Sequence, residues 1–164
     1  MKTPRIVQAC LLLPIFCAAG VASSSETSSQ PQAPATSELE QRADHASGAD
    51  CSHLSMQASR LLLEEANRQF GAGNVKAAHE EIDSSVRYAQ RSVDCSLQVR
   101  KAEKSAEIEL RKLIRRMKDV MQTLDSEDRP HLSQAIIELE KQRNRVLHGL
   151  FGAAAPGGAT EKKP

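Results

Sequence analysis

Apolar residues recur at helical spacing in three stretches of this chain, divided by two stops. In the first stretch Leu54, Ala58, Leu61, Leu62, Ala66 and Phe70 share a helix face, and Gly71 and Gly73 end the run. Asp50 or Ser52 suits the start, so a helix is predicted from about Cys51 to Phe70. Asn74 is a natural cap for the next segment. From Val75 to Leu124 there is neither Gly nor Pro, which predicts one continuous helix of about 75 Å at 1.5 Å per residue. Its seam passes through Ile82, Val86, Ala89 and Val93, and later through Leu110, Ile114, Met117, Met121 and Leu124. Between these halves the seam positions Ser96, Arg100, Glu103 and Glu107 are polar. Asp125 to Pro130 breaks the pattern. Leu132, Ile136, Leu139, Val146 and Leu150 then mark a last helix from about Pro130 to Phe151, with Pro tolerated in its first turn and Gly152 as its stop.

The expected fold is therefore all-α: elongated antiparallel hairpins made of a short helix, one long central helix and a second short helix. Folding at the second turn sets Met117 opposite Ile136, Ile114 opposite Leu139 and Ala106 opposite Leu147. A bend near Ser96 to Arg100, collapsing the chain into a compact bundle, is the alternative; no Gly or Pro marks it. A rod two helices thick buries little surface, and Ile108, Leu113 and Val120 lie outside the seam. Self-association through the 108–150 helices is expected on that ground.

Cys51 and Cys95 lie equally far from Gly73, on opposite arms of the first hairpin. They face each other, and a structural disulfide pinning the open end is predicted. A redox-active pair would instead need an accessible, low-pKa thiol, usually in a Cys-x-x-Cys setting.

The ends of the chain bear on compartment. Lys2 and Arg5, the apolar stretch Ala9 to Ala19 and the small residues Gly20-Val21-Ala22 read as a secretory signal over 1–22, cleaved after Ala22 or Ala19. That stretch is too short to span a membrane, and no transmembrane segment is expected. Cys10 and Cys17 do not sit at a lipidation motif. Export to the periplasm or beyond fits a bridged cysteine pair. Residues 23–47, rich in Ser, Thr, Gln, Pro and Ala, are predicted to be a disordered linker, 48–152 the helical domain and 153–164 a disordered tail.

Composition excludes more than it suggests. Without Lys2 and Arg5 the 22 basic residues of the 164-residue chain become 20, against 21 acidic ones, so no global field attracts nucleic acid. There is no Trp, one Tyr and three Phe, which leaves the core to aliphatic side chains and suits helix seams.

The segment from Gly73 to Ala89 resembles the second half of a tetratricopeptide repeat. Gly73, Val75, Ala78, Ile82 and Ser85 fall where that family has its turn glycine and packing residues, and Leu62 and Ala66 match its first half. The resemblance spans residues 61–89 and implies a closely packed helix-turn-helix. No second copy follows at the family's 34-residue spacing, so its peptide groove is not implied.

Chemistry is sparse. Arg111, Lys112, Arg115, Arg116 and Lys118 form the densest basic run, a candidate surface for a polyanion or a protein partner. Its bland counterpart is the solvated face of a helix, with Glu107 one turn before Arg111. No aromatic residues interleave the run, which argues against nucleic acid. His79 and Asp83 lie one turn apart, but two ligands do not make a metal site and the His-Glu-x-x-His pattern is absent. Glu64-Glu65 and Glu80-Glu81 have no evident pocket, and neither a phosphate loop nor Gly-x-Ser-x-Gly occurs. No catalytic residue, metal or cofactor is assigned. The sequence points to an exported, non-enzymatic helical protein that binds an unknown protein partner in the cell envelope. A periplasmic holdase for unfolded clients, or a binder of envelope polyanions, is the alternative function.

Overall fold

The computed structural model describes residues 33–152, with side chains from Thr36 onward. The expected signal, the first part of the linker and the tail at 153–164 lie outside the described residues. Five helices follow in order: α1 (Ala33–His45), α2 (Gly48–Gly71), α3 (Val75–Gln98), α4 (Arg100–Thr123) and α5 (Arg129–Gly152). The described residues contain no strand, and the all-α class stands.

The first hairpin forms as its residues dictate. Asn74 N–H donates to the Gln69 carbonyl at 2.9 Å and Gly73 N–H to that of Phe70 at 3.0 Å, a Schellman closure of α2. It requires a left-handed residue, and Gly73 sits there at φ 78°. Nothing lies within 4 Å of a Cβ placed on it, so a side chain is opposed by backbone strain alone. Gly73→Ala is expected to lower stability by about 1 kcal/mol in urea denaturation, and Gly73→Asn by less. Asn74 begins α3 as expected, but its side-chain amide donates back to Gln69 at 2.9 Å instead of capping α3.

Small residues bring α2 and α3 together. Ala58, Ala66, Ala78 and Ala89 are fully buried. Between them, Ser85 Oγ donates to the Ser59 carbonyl at 2.8 Å and Ser92 Oγ to that of Ser52 at 2.7 Å. Each buried hydroxyl thus crosses to the facing backbone instead of competing with its own helix. At the open end Cys51 and Cys95 are bonded, their Cα atoms 6.0 Å apart.

The continuous central helix is corrected. Val99 adopts an extended conformation, φ −127° and ψ 90°, and divides the segment into α3 and α4 with no Gly or Pro. Breaking the helix there gives up a few backbone hydrogen bonds, each a net ~1 kcal/mol. In return the α4/α5 hairpin folds back along α2/α3, and one core joins Met56 and Leu63 of α2, Val93 of α3, Leu113 and Val120 of α4 and Leu139 of α5. Burying such side chains contributes about 2 kcal/mol each, so the fold-back outweighs the break.

Cross-helix bonds define the arrangement. Lys118–Glu140 and Arg143–Glu107 pair α4 with α5 antiparallel, close to the register expected from the second turn. Arg60–Glu109 and Arg116–Glu64 run in step along α2 and α4, as Asp83–His131 and Asp94–Arg145 do along α3 and α5. Both of these latter pairs of helices are therefore parallel neighbours. Of the three residues that prompt the expectation of self-association, Leu113 and Val120 are buried in the chain's own core and Ile108 is half-buried. Of the polar seam, Ser96, Glu103 and Glu107 are buried and Arg100 is exposed. Glu107 accepts Arg111 Nη2 and Arg143 Nε, each at 3.0 Å, and the bare helix face of Gly149 lets Leu97 and Glu103 close over α5.

The expected linker is also corrected at its C-terminal part. Leu39 and Ala43, one turn apart, give α1 an apolar edge that packs against Ala58, Leu62 and Tyr88. Arg91 ends the helix: Nη2 donates to the carbonyls of Ala43 and Asp44, at 3.2 and 2.9 Å. A cation on the last carbonyls satisfies acceptors that the helix itself cannot. Tyr88 Oη donates to Asp44 at 3.2 Å. Burial, with Glu40 and Asp44 nearby, pushes that phenol up to about 12. The neutral, donating form therefore persists at every pH below the ordinary phenol range.

Candidate interaction surfaces

The basic run is one patch in the sequence and two in the structure. A helix turns about 100° per residue, so Lys112 and Arg116 point to one side of α4 while Arg111, Arg115 and Lys118 point to the other. Lys112 and Arg116 meet α2. Arg116 grips Glu64 with Nε and Nη2, both at 2.9 Å, and these hydrogen bonds hold the Glu64 carboxyl below the ordinary carboxylate range. Glu109 accepts Lys112 Nζ at 2.8 Å and Arg60 Nη1 at 3.3 Å.

Arg60, Glu64, Lys112 and Arg116 rim a groove between α2 and α4 of about 590 Å³. Leu63 and Leu113 form its floor, Leu61 one wall, and Leu39 of α1 an end. Leu61 is 37 % exposed and Leu63 1 %, the reverse of what the helical pattern suggested. The other side of α4 carries a shallower cleft of about 240 Å³, lined by Arg111, Ile114, Arg115 and Lys118 with Glu140 and Arg143 of α5. Lys118 donates to Glu140 at 2.7 Å and Arg111 to Glu107. Of the five predicted cations, Arg115 alone makes no ion pair among the described residues. Ile137, 55 % exposed, lies one turn before Glu140 on α5.

The histidine and carboxylate candidates become something different. His79 stacks on His131 of α5, ring centroids 4.1 Å apart, and Phe70 meets the His79 ring edge-on. Asp83 approaches His131 at 2.9 Å instead of His79, and Asp128 lies 3.7 Å from His79. This cluster ties both turns of the bundle together. Among the described residues no group of three or more His, Cys, Asp or Glu is arranged to hold a metal ion. Glu65 is held by Arg68 and by Gln69, the latter at 2.7 Å, so the Glu64-Glu65 pair is occupied by cations and amides. No helix among the described residues is long and apolar enough to cross a membrane.

Sequence reasoning missed Arg60 and Leu63 on α2, Arg143 on α5 and the meeting of His79 with His131, and it set Glu64 aside as having no pocket, whereas Glu64 lines the groove. Arg60, Leu63 and the histidine pair depend on parallel neighbours, which hairpin registers do not predict, whereas Arg143 meets Glu107 across the antiparallel α4/α5 hairpin. One signal was present: Arg60 and Glu64, one turn apart on α2, complement Glu109 and Arg116 on α4.

The chain matches no family model, no curated protein and no solved structure. The surfaces above are what functional inference has to rest on.

Proposed function

We propose that this protein is an exported, non-enzymatic interaction module of the cell envelope that docks an acidic protein partner on its α4/α5 face. One observation carries the proposal. Arg115 stands exposed and unpaired in a cleft shared with Arg111, Lys118 and Arg143, with the apolar side chain of Ile137 one turn away from Glu140. An unpaired cation in the cleft, with an exposed apolar side chain one turn from the cleft's Glu140, suits a partner presenting carboxylates around a hydrophobic contact. The Cys51–Cys95 bond and the N-terminal signal pattern support export.

Arg115→Glu removes no ion pair within the fold, so it tests the face without disturbing the bundle. The full chain is expected to capture its partner from an envelope extract, and Arg115→Glu to weaken capture about tenfold or more through like-charge repulsion. Lys76→Glu, at an exposed position near the start of α3, serves as the control. Equal capture by the Arg115 variant and the wild type would exclude this face.

A further inference from the structure

The groove on the opposite side of α4 has no part in that reading, and its chemistry is of another kind. We propose that the α2/α4 groove binds one fatty-acid carboxylate, with the tail against Leu61, Leu63 and Leu113 and the head group between Arg60 and Lys112.

Volume, charge and free donors each bear on the occupant. About 590 Å³ lies within the range of small-molecule sites, roughly 300–1,000 Å³. A partner helix, at least about 10 Å across with a 5.4 Å pitch, would fill that volume with little more than one turn. One turn anchors a helix poorly. A single acyl chain lies along the groove and covers the leucines. Leu61, and in part Leu39, are the apolar lining that water now reaches, and an alkyl tail would shield them.

Charge fixes the polarity of the ligand and its position. Arg116 and Glu64 neutralise each other in a two-point pair. Arg60 and Lys112 share the single carboxylate of Glu109, which leaves a surplus of one positive charge at their end of the groove (two cations less one anion). A carboxylate head group supplies one negative charge, whereas a phosphate monoester carries ~1.5 to 2 at neutral pH. Donors are available as well. Arg60 uses only Nη1 and Lys112 one N–H toward Glu109, so the remaining guanidinium and ammonium hydrogens are free to bind an oxyanion. The zwitterionic rim thus selects the head, and the leucines take the tail.

The test uses the purified full chain and laurate, titrated below its micelle concentration by calorimetry. Saturable one-to-one binding is expected. Dodecyltrimethylammonium, with the same chain and the opposite charge, should bind at least about tenfold more weakly. Lys112→Glu and Leu61→Glu alter exposed positions and should each weaken laurate about tenfold or more, with melting curves close to wild type. Arg115→Glu should leave laurate binding unchanged, which separates this site from the partner face. Equal affinity for the two detergents, no saturable binding, or variants that bind as wild type would overturn the proposal. So would a Glu-rich amphipathic peptide that binds this groove more tightly than laurate and loses its affinity in the same variants, because the occupant would then be a protein.

Discussion

Cys51→Ser is expected to lower the melting temperature by roughly 15 °C. The bond closes a loop with a sequence separation of 44, and constraining a loop of that size in the unfolded chain is worth ~4 kcal/mol in the chain-entropy model. For a domain of this size 1 kcal/mol shifts the midpoint by about 4 °C. Reductant should lower the wild-type melting curve to that of the variant, and should leave the variant unchanged. A variant that melts with the oxidised wild type would show that the bond adds nothing to the fold. The position of the bond explains why the loss should be large. Cys51 is near the start of α2 and Cys95 is four residues before the Val99 break, so the bond holds the arm from which α4 folds back. Releasing it frees both the open end of the first hairpin and the point that orients the second. An oxidising compartment would supply this stability, as the expectation of export requires.

The parts of the fold readable from the sequence were local. Gly73 marks its turn because a Schellman closure needs a left-handed residue, and the equal spacing of Cys51 and Cys95 about it follows from antiparallel geometry. The break at Val99 has no such local cause. In the sequence Ser96, Arg100, Glu103 and Glu107 make the middle of the seam polar, and the absence of Gly and Pro favours a rod. What decides the outcome is the breadth of apolar surface on α4. Leu110 and Met117 lie on the seam expected to meet α5, Leu113 and Val120 widen the apolar arc beyond what one hairpin can cover, and all four are buried in one core. In the sequence that surplus reads as a surface for a second molecule; in the structure Leu113 and Val120 pack within the chain's own core. The candidate surface divided for the same reason. Five cations adjacent in sequence become a rim facing α2 and a cleft facing α5 once α4 has a helix on each side.

Leu63 and Leu61 provide the sharpest test of this arrangement. In a rod built from separate hairpins Leu61 lies on the apolar face of the first helix and Leu63 points away from it. In the bundle Leu63 packs into the core shared with α4, and Leu61 is left on the groove wall. Leu63→Ala is therefore expected to destabilise by about 2–5 kcal/mol, the lost transfer energy together with the cavity left beside Leu113. Leu61→Ala should change stability by no more than ~0.5 kcal/mol, because the position is already partly in water and alanine favours the helix. Urea denaturation of the two variants measures both. The reversed order, with Leu61→Ala the more damaging, would restore the continuous helix and dissolve the α2/α4 groove with it. With the expected order, α2 and α4 share a core, and the cations rimming their groove are held in place by the same packing that stabilises the fold.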